Sequence, residues 1–166
     1  PIPAKGLTGN GYDGHTLWDN ESFVLAVLTY THPESVGQAL RWRHSTLDAA
    51  RDRARELRLA GAAFPWRTIS GAECSGYWPA GTAALHVNAD IADAVLRYHA
   101  ATGDDDFMRT AGDELLCETA RLWQKVAYLD EEGIGHIAGV TGPDEYTALM
   151  DDNIFTNLMA QQNLRA

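Results

Sequence analysis

The stretch WDNESFVLAVLTY, residues 18–30, runs straight into Thr31-His32-Pro33-Glu34, and together they decide the fold class. It opens with an N-cap type of residue, Asp19, and a further acid, Glu21. It then turns apolar on nearly every face, the pattern of a buried helix. Thr31 and Glu34 stand at capping-box spacing with Pro33 in the first turn, which predicts the start of a second helix. That helix runs to about Arg58, with Gly61 as its stop.

Beyond it the chain alternates between loops and helices. Gly61, Pro65, Gly71, Gly76, Pro79 and Gly81 punctuate residues 60–81 and predict a long loop. Val87, Ile91, Ala94, Val95 and Tyr98 fall at i, i+4, i+7, i+8 and i+11, an amphipathic third helix that Gly103 closes. Asp104 opens a fourth, whose stripe of Phe107, Ala111, Leu115, Leu122 and Val126 carries it through about Lys125. A second glycine-rich stretch spans 133–146, and Asp151 or Asp152 caps a fifth helix that runs to Ala166. No segment alternates with period 2. The expectation is all-α: five helices and no sheet.

The composition narrows the function. The 166 residues amount to one domain's worth of chain, 45% hydrophobic, with 13 basic against 23 acidic side chains. A net charge of −10 argues against a phosphate-backbone partner, so no nucleic acid is expected. No apolar run approaches the ~18 residues of a membrane span, and no signal peptide stands at the front, so no membrane and a cytoplasmic location are expected. Cys74 and Cys117 lack the spacing of a zinc site or a disulfide framework, and the six histidines show no metal spacing. No metal site is expected.

Charge is unevenly spread. Residues 41–58 carry Arg41, Arg43, Arg51, Arg53, Arg55 and Arg58, interleaved with Asp48, Asp52 and Glu56 at helical spacing. They read as a solvated, salt-bridged helix face. Residues 104–152 carry 13 acidic groups.

Loop lengths locate a site. Tight turns join helices 1–2 and 3–4, whereas the 2–3 and 4–5 connections are long. In an up-and-down array every second connection lies at the same end. Residues 6–19, the 60–81 loop and the 126–150 loop should therefore share one face, and loops on a rigid scaffold are where binding and catalysis concentrate.

Those segments hold aromatics beside carboxylates: Trp18-Asp19 with Glu21, Trp66 beside Arg67, Tyr77-Trp78, and Asp144-Glu145-Tyr146. Flat rings stack on sugars while Asp and Glu grip hydroxyls, so the combination suits a carbohydrate cleft, although a Trp at a helix start also serves as a core anchor. Gly9-Asn-Gly-Tyr-Asp-Gly14 matches GxGxxG but lacks a preceding strand and carries Asp13, which would repel a pyrophosphate. No GxSxG, HExxH or EF-hand pattern is present. Sharper is Gly139-Val-Thr-Gly-Pro-Asp-Glu-Tyr146, with two adjacent carboxylates in a loop that Pro143 stiffens. Partial burial, with Asp144 as like-charged neighbour, would raise the pKa of one of them, as a glycosidase acid requires. The competing reading is an Asp that caps a turn beside a solvated Glu145.

Taken together, GLTGNGYDGHTLWDNESF (6–23), LRWRHSTLDAARDRARE (40–56), AGAAFPWRTISGAECSGYW (60–78), ADIADAVLRYHAATGDDDF (89–107), ELLCETARLW (114–123), HIAGVTGPDEY (136–146) and DDNIFTNLMAQQNL (151–164) resemble the catalytic domain of glycoside hydrolase family 65, almost end to end and in order. That family comprises maltose, trehalose, kojibiose and nigerose phosphorylases with a few related hydrolases. The resemblance implies an (α/α)6 barrel of twelve helices in a longer chain, of which residues 1–166 are a partial catalytic domain. A start at Pro1 and an end within a helix fit such a piece.

By the same resemblance, Glu145 in GPDEY is the general acid. Trp18 and Asp19 hold the non-reducing glucosyl unit, and Trp66 and Glu73 shape the pocket on the leaving-group side. Thr147-Ala148 after the motif tyrosine and Arg67 after the Pro-Trp pair depart from common family patterns and bear on acceptor specificity. The implied partners are a disaccharide and inorganic phosphate as co-substrate, without a cofactor. The rest of the polypeptide would complete the barrel, and a homodimer is left open. A phosphorylase needs no general base, whereas an inverting hydrolase needs a second carboxylate about 6.5–9.5 Å from the first. A non-catalytic helical-repeat scaffold would show a fixed period, which this chain lacks.

Overall fold

A computed structural model describes residues 2–76 and 78–166. Tyr77, one of the sequence candidates, lies outside the described residues. The elements in order are β1 (Thr16–Leu17), a π-helical turn (Asn20–Val24) continuing into α1 (Leu25–Thr31), α2 (Pro33–Ser45), α3 (Leu47–Glu56) and β2 (Arg67–Thr68). A 3₁₀ turn (Pro79–Ala83) follows, then α4 (His86–Thr102), α5 (Asp105–Phe107) continuing through a π-helical turn (Met108–Gly112) into α6 (Asp113–Val126), β3 (Tyr128–Leu129), β4 (Gly135–His136) and α7 (Ile154–Arg165). The chain is all-α apart from two antiparallel two-residue ribbons, β1–β2 and β3–β4. The expected absence of strands is corrected at those pairs, which are too short for alternation to develop in the sequence.

α4 is the central helix. Val87, Ile91 and Val95 are fully buried on it, and it packs against α1, α2, α6 and α7. One apolar cluster joins it to Leu25, Val36, Leu40, Phe64, Phe107 and Leu115, and a second gathers Leu122, Trp123, Ile137, Val140 and Ala160. α1 does not sit inside the protein all round: Leu25 is buried, but Phe23, Val27 and Tyr30 are exposed. On α7, Ile154 and Leu158 are exposed in the same way. Among the described residues no helix is long and apolar enough to cross a membrane.

Local hydrogen bonding explains where helix boundaries depart from expectation. The capping box is not made: Thr31 Oγ1 donates back to the Val27 carbonyl, and His32 is the N-cap ahead of Pro33. The long second helix is broken at Thr46. There Ser45 Oγ donates to the Trp42 carbonyl and Thr46 Oγ1 to the Arg43 carbonyl, and such hydroxyls compete with the helical ladder. At the other end of α3, Arg58 already takes the left-handed conformation. Gly61 serves a different purpose, since a Cβ there would stand 2.1 Å from the Glu118 carbonyl oxygen where the chain crosses α6. Gly103 ends α4 in the left-handed region and Asp104 caps the next turn by accepting from the Phe107 N–H at 2.9 Å, as expected. For α7 the cap is Asn153, accepting from Thr156 N at 3.0 Å. Asp151 and Asp152 are taken up elsewhere, by the amides of Gly139 and Ile137.

The parity argument about loops holds. β1 pairs with β2 (Thr16 with Thr68, Leu17 with Arg67), tying residues 6–19 to the 60–81 loop. Thr141 N donates to the Ala83 carbonyl at 3.0 Å and Thr141 Oγ1 to the Ala80 carbonyl at 2.8 Å, tying in the third segment. All three meet at one end of the helices.

Candidate active site

Between those segments lies a cavity of about 390 Å³, lined by Lys5, Tyr12, Trp18, Asp19, Trp66 and Glu145 among others. Four of the five site residues expected from sequence therefore share one concavity.

Trp18 stands half-buried at the start of the first helical segment. Its ring packs edge-on against Phe23 (5.2 Å between centroids), His86 (5.0 Å) and Phe155 (6.1 Å), from three different elements. Such contacts orient a ring more tightly than burial alone. Asp19 follows it and makes no capping bond, so its carboxylate faces the cavity instead of the helix N–H groups.

Trp66 forms the floor. It is only 3% exposed and tilts against Trp78 at 5.0 Å. Gly81 makes room for it, because a Cβ there would come within 2.7 Å of the indole. Glu73 does not line the cavity itself but stands directly behind Trp66. Its Oε2 accepts from Trp66 N at 2.9 Å and Oε1 from Cys74 N at 3.1 Å and from Ser75 Oγ. Arg53 Nη2 lies 3.2 Å from Oε2 and the same guanidinium donates to the carbonyls of Ala63, Phe64 and Thr82. Glu73 and Arg53 thus clasp the loop behind Trp66.

Arg43 lies deeper still. Nε and Nη2 donate to Glu21 Oε1 and Oε2 at 2.7 and 3.0 Å, with both side chains fully buried. The arginine run is therefore not one solvated face. Arg51 and Arg55 pair near the surface with Asp48 and Asp52, whereas Arg43 and Arg53 are interior ties. Glu21 likewise turns inward rather than towards the cavity. The signal was present: Arg43 continues the stripe Val36, Leu40, Leu47, Ala50 and Ala54, all buried positions at helical spacing.

Glu145 hangs over the cavity from the 137–152 loop. Partial burial is the main cause that raises its carboxyl above the usual range, the nearby Asp19 charge adds to this, and His86 opposes it. The like-charged neighbour is Asp19, not Asp144 as the sequence suggested. Asp144 serves the turn, its Oδ1 accepting from Tyr146 N at 3.2 Å. A carboxylic acid with raised proton affinity, facing a carboxylate and an indole across a cleft, can donate a proton to a sugar-bound oxygen. Among the described residues no group of three or more His, Cys, Asp or Glu side chains could hold a metal ion.

Comparison with known proteins gives the context. The family model for the glycosyl hydrolase family 65 central catalytic domain matches residues 1–166. The chain is 63% identical over 163 residues to an uncharacterized glycosyl hydrolase of Mycobacterium tuberculosis, covering 98% of this chain and 21% of that protein. It is 53% identical over 165 residues to an alpha,alpha-trehalose phosphorylase of Geobacillus stearothermophilus, covering 99% of this chain and 21% of that protein. A solved structure described as a candidate kojibiose phosphorylase from the human microbiome superposes with a TM-score of 0.92 at 32% identity, covering 99% of this chain and 22% of that one. The chain thus spans about a fifth of the length of the relatives it matches, and its fold is a fragment of their helical barrel. With a family match running from end to end, the chain belongs to glycosyl hydrolase family 65.

Proposed function

We propose that the protein containing this chain is an inverting disaccharide phosphorylase, splitting an α-glucosidic disaccharide such as trehalose, kojibiose or maltose with phosphate. In this reading Glu145 transfers its proton to the glycosidic oxygen as the C1–O bond breaks. A phosphate oxygen attacks C1 from the opposite face of the ring, giving β-glucose 1-phosphate and the free second sugar. Phosphate is already anionic and nucleophilic, so no general base is needed. Trp18 and Asp19 hold the glucosyl unit, and Trp66 shapes the pocket on the leaving-group side.

The observation that carries the reading is the single cavity shared by Glu145, Asp19, Trp18 and Trp66, with burial and Asp19 both favouring the protonated Glu145 that a general acid needs. Similarity to trehalose and kojibiose phosphorylases supports phosphate as co-substrate. The exposed apolar side chains of α1 and α7 support a barrel completed by further chain, so the 166 residues alone are expected to be inactive.

The test is product analysis with the full-length protein on trehalose, kojibiose and maltose, with and without phosphate. Phosphate-dependent β-glucose 1-phosphate is expected. Free glucose released equally well without phosphate would instead make the enzyme a hydrolase, and no turnover of any α-glucoside would overturn the proposal.

A further inference from the structure

Behind the cavity wall lies a titratable pair that the chemistry above does not use. His86 and Asp90 open α4 one turn apart, each 1% exposed, with His86 Nδ1 donating to Asp90 Oδ2 at 2.7 Å. Asp90 Oδ1 has no hydrogen-bond partner among the described residues. Buried polar groups are ordinarily satisfied, so a half-satisfied carboxylate in the protein's central helix calls for a reason.

The surroundings supply one. The imidazole is wedged between rings, edge-on to Trp18 at 5.0 Å and to Phe155 at 5.6 Å. Because Asp90 anchors one ring nitrogen, the imidazole cannot rotate away, and the Trp18 indole that lines the cavity is braced from behind. The other charged groups around the pair are already engaged. Asp93, on the same helix, is tied to Arg97 at 2.6 Å, and Glu21 from the π-helical turn is tied to Arg43. Glu145, across the cavity, has no such tie among the described residues.

We infer that His86, locked by Asp90, is a positioning residue for the cavity, its ring bracing the Trp18 indole from behind. The inference rests on the phosphorylase reading above. An imidazole shielded from solvent by its neighbours cannot touch substrate, so its influence passes through Trp18, which can.

Two substitutions in the full-length protein separate the roles. His86→Gln keeps a donor for Asp90 but removes the ring. KM for the disaccharide should rise about three- to tenfold, the range an aromatic pair contributes, with kcat nearly unchanged. Asp90→Asn keeps volume, hydrogen bond and ring position, so KM should stay near wild type. A purely structural role would lower kcat or stability in both variants without a rise in KM confined to His86→Gln.

Should His86→Gln fail to fold, Asp90→Ala, which frees the ring that Asp90 anchors, should raise KM in the same way. A wild-type KM in the folded variant, with phosphorolysis by the parent enzyme intact, would overturn the inference and leave the phosphorylase reading standing. Absence of turnover by the parent enzyme would sink both.

Discussion

Two loops face each other across the cavity and are held in opposite ways. The 60–82 loop is fastened through its interior: Arg53 and Glu73 bind main-chain groups along it, Trp66 is buried, and Gly81 lets the indole settle. The 137–152 loop is fastened at its base and, through Thr141, to the Ala80 and Ala83 carbonyls. Val140 and Met150 exchange backbone hydrogen bonds at 3.0 and 2.9 Å, Asp151 and Asp152 accept from Gly139 N and Ile137 N, and His136 is clamped between Asp152 and Asp130. Its tip is open, with Tyr146 fully exposed. Buried charge is thus concentrated behind Trp66, while Glu145 sits on a loop and has no ion pair among the described residues. A general acid paired to arginine would lose its proton too readily.

The sharpest way to break this contrast is to unfasten the interior. Arg43→Met leaves the Glu21 carboxylate buried without its partner, and breaking a buried pair costs about 3–5 kcal/mol. Urea unfolding of the full-length protein should register it. A loss below about 1 kcal/mol would mean that the pair is not the tie described here. Glu73→Gln should be milder, about 1–3 kcal/mol, because a single amide oxygen cannot satisfy the N–H and O–H donors that converge on the carboxylate. It should also raise KM through Trp66, whereas an unchanged KM would disconnect the clasp from the cavity.

The base of the second loop should respond to pH. His136 is raised from its ordinary 6.5 by its hydrogen bonds to Asp152 and Asp130, so its contribution is complete below that value and fades as pH climbs through the raised one. Asp152 and Asp130 are lowered from 3.8, Asp152 chiefly by His136 and Asp130 chiefly by the Ile134 amide. Their contribution is present above 3.8 and fades on acidification through the lowered values. Hydrogen exchange at the amides of Ile137, Val140 and Met150, corrected for intrinsic rates, should be slowest between those limits. His136→Asn should flatten the profile. Exchange that is already flat in the parent protein would show that His136 does not hold the loop.

These contrasts mark what could be read in the sequence. Alternating short and long connections were enough to bring Trp18, Trp66 and Glu145 to one end, because antiparallel helices leave no other arrangement. The role proposed for Glu145 in GPDEY was legible only by family resemblance, since its nearness to Asp19 depends on where residues 18–24 turn. Arg43 looked like Arg41 or Arg51 when charges were counted, and its helical phase alone distinguished it. How Glu73 acts was hidden for a related reason: a carboxylate that binds main-chain amides from several residues leaves no sequence spacing to detect. The capping box of Thr31 and the Asp151–Asp152 cap failed because each side chain had a competing backbone group within reach.

The central claim, that Glu145 is the proton donor, is tested most directly by Glu145→Gln in the full-length enzyme assayed on two substrates. A positioned general acid contributes about 10²–10⁴-fold, so kcat on the disaccharide should fall by that factor with little change in KM. α-Glucosyl fluoride carries a leaving group that needs far less protonation, and the variant should recover most of the lost rate on it. Asp19→Ala, which loses grip on the sugar itself, should recover none. Disaccharide turnover near the parent rate by Glu145→Gln, or equal losses on both substrates, would contradict the assignment.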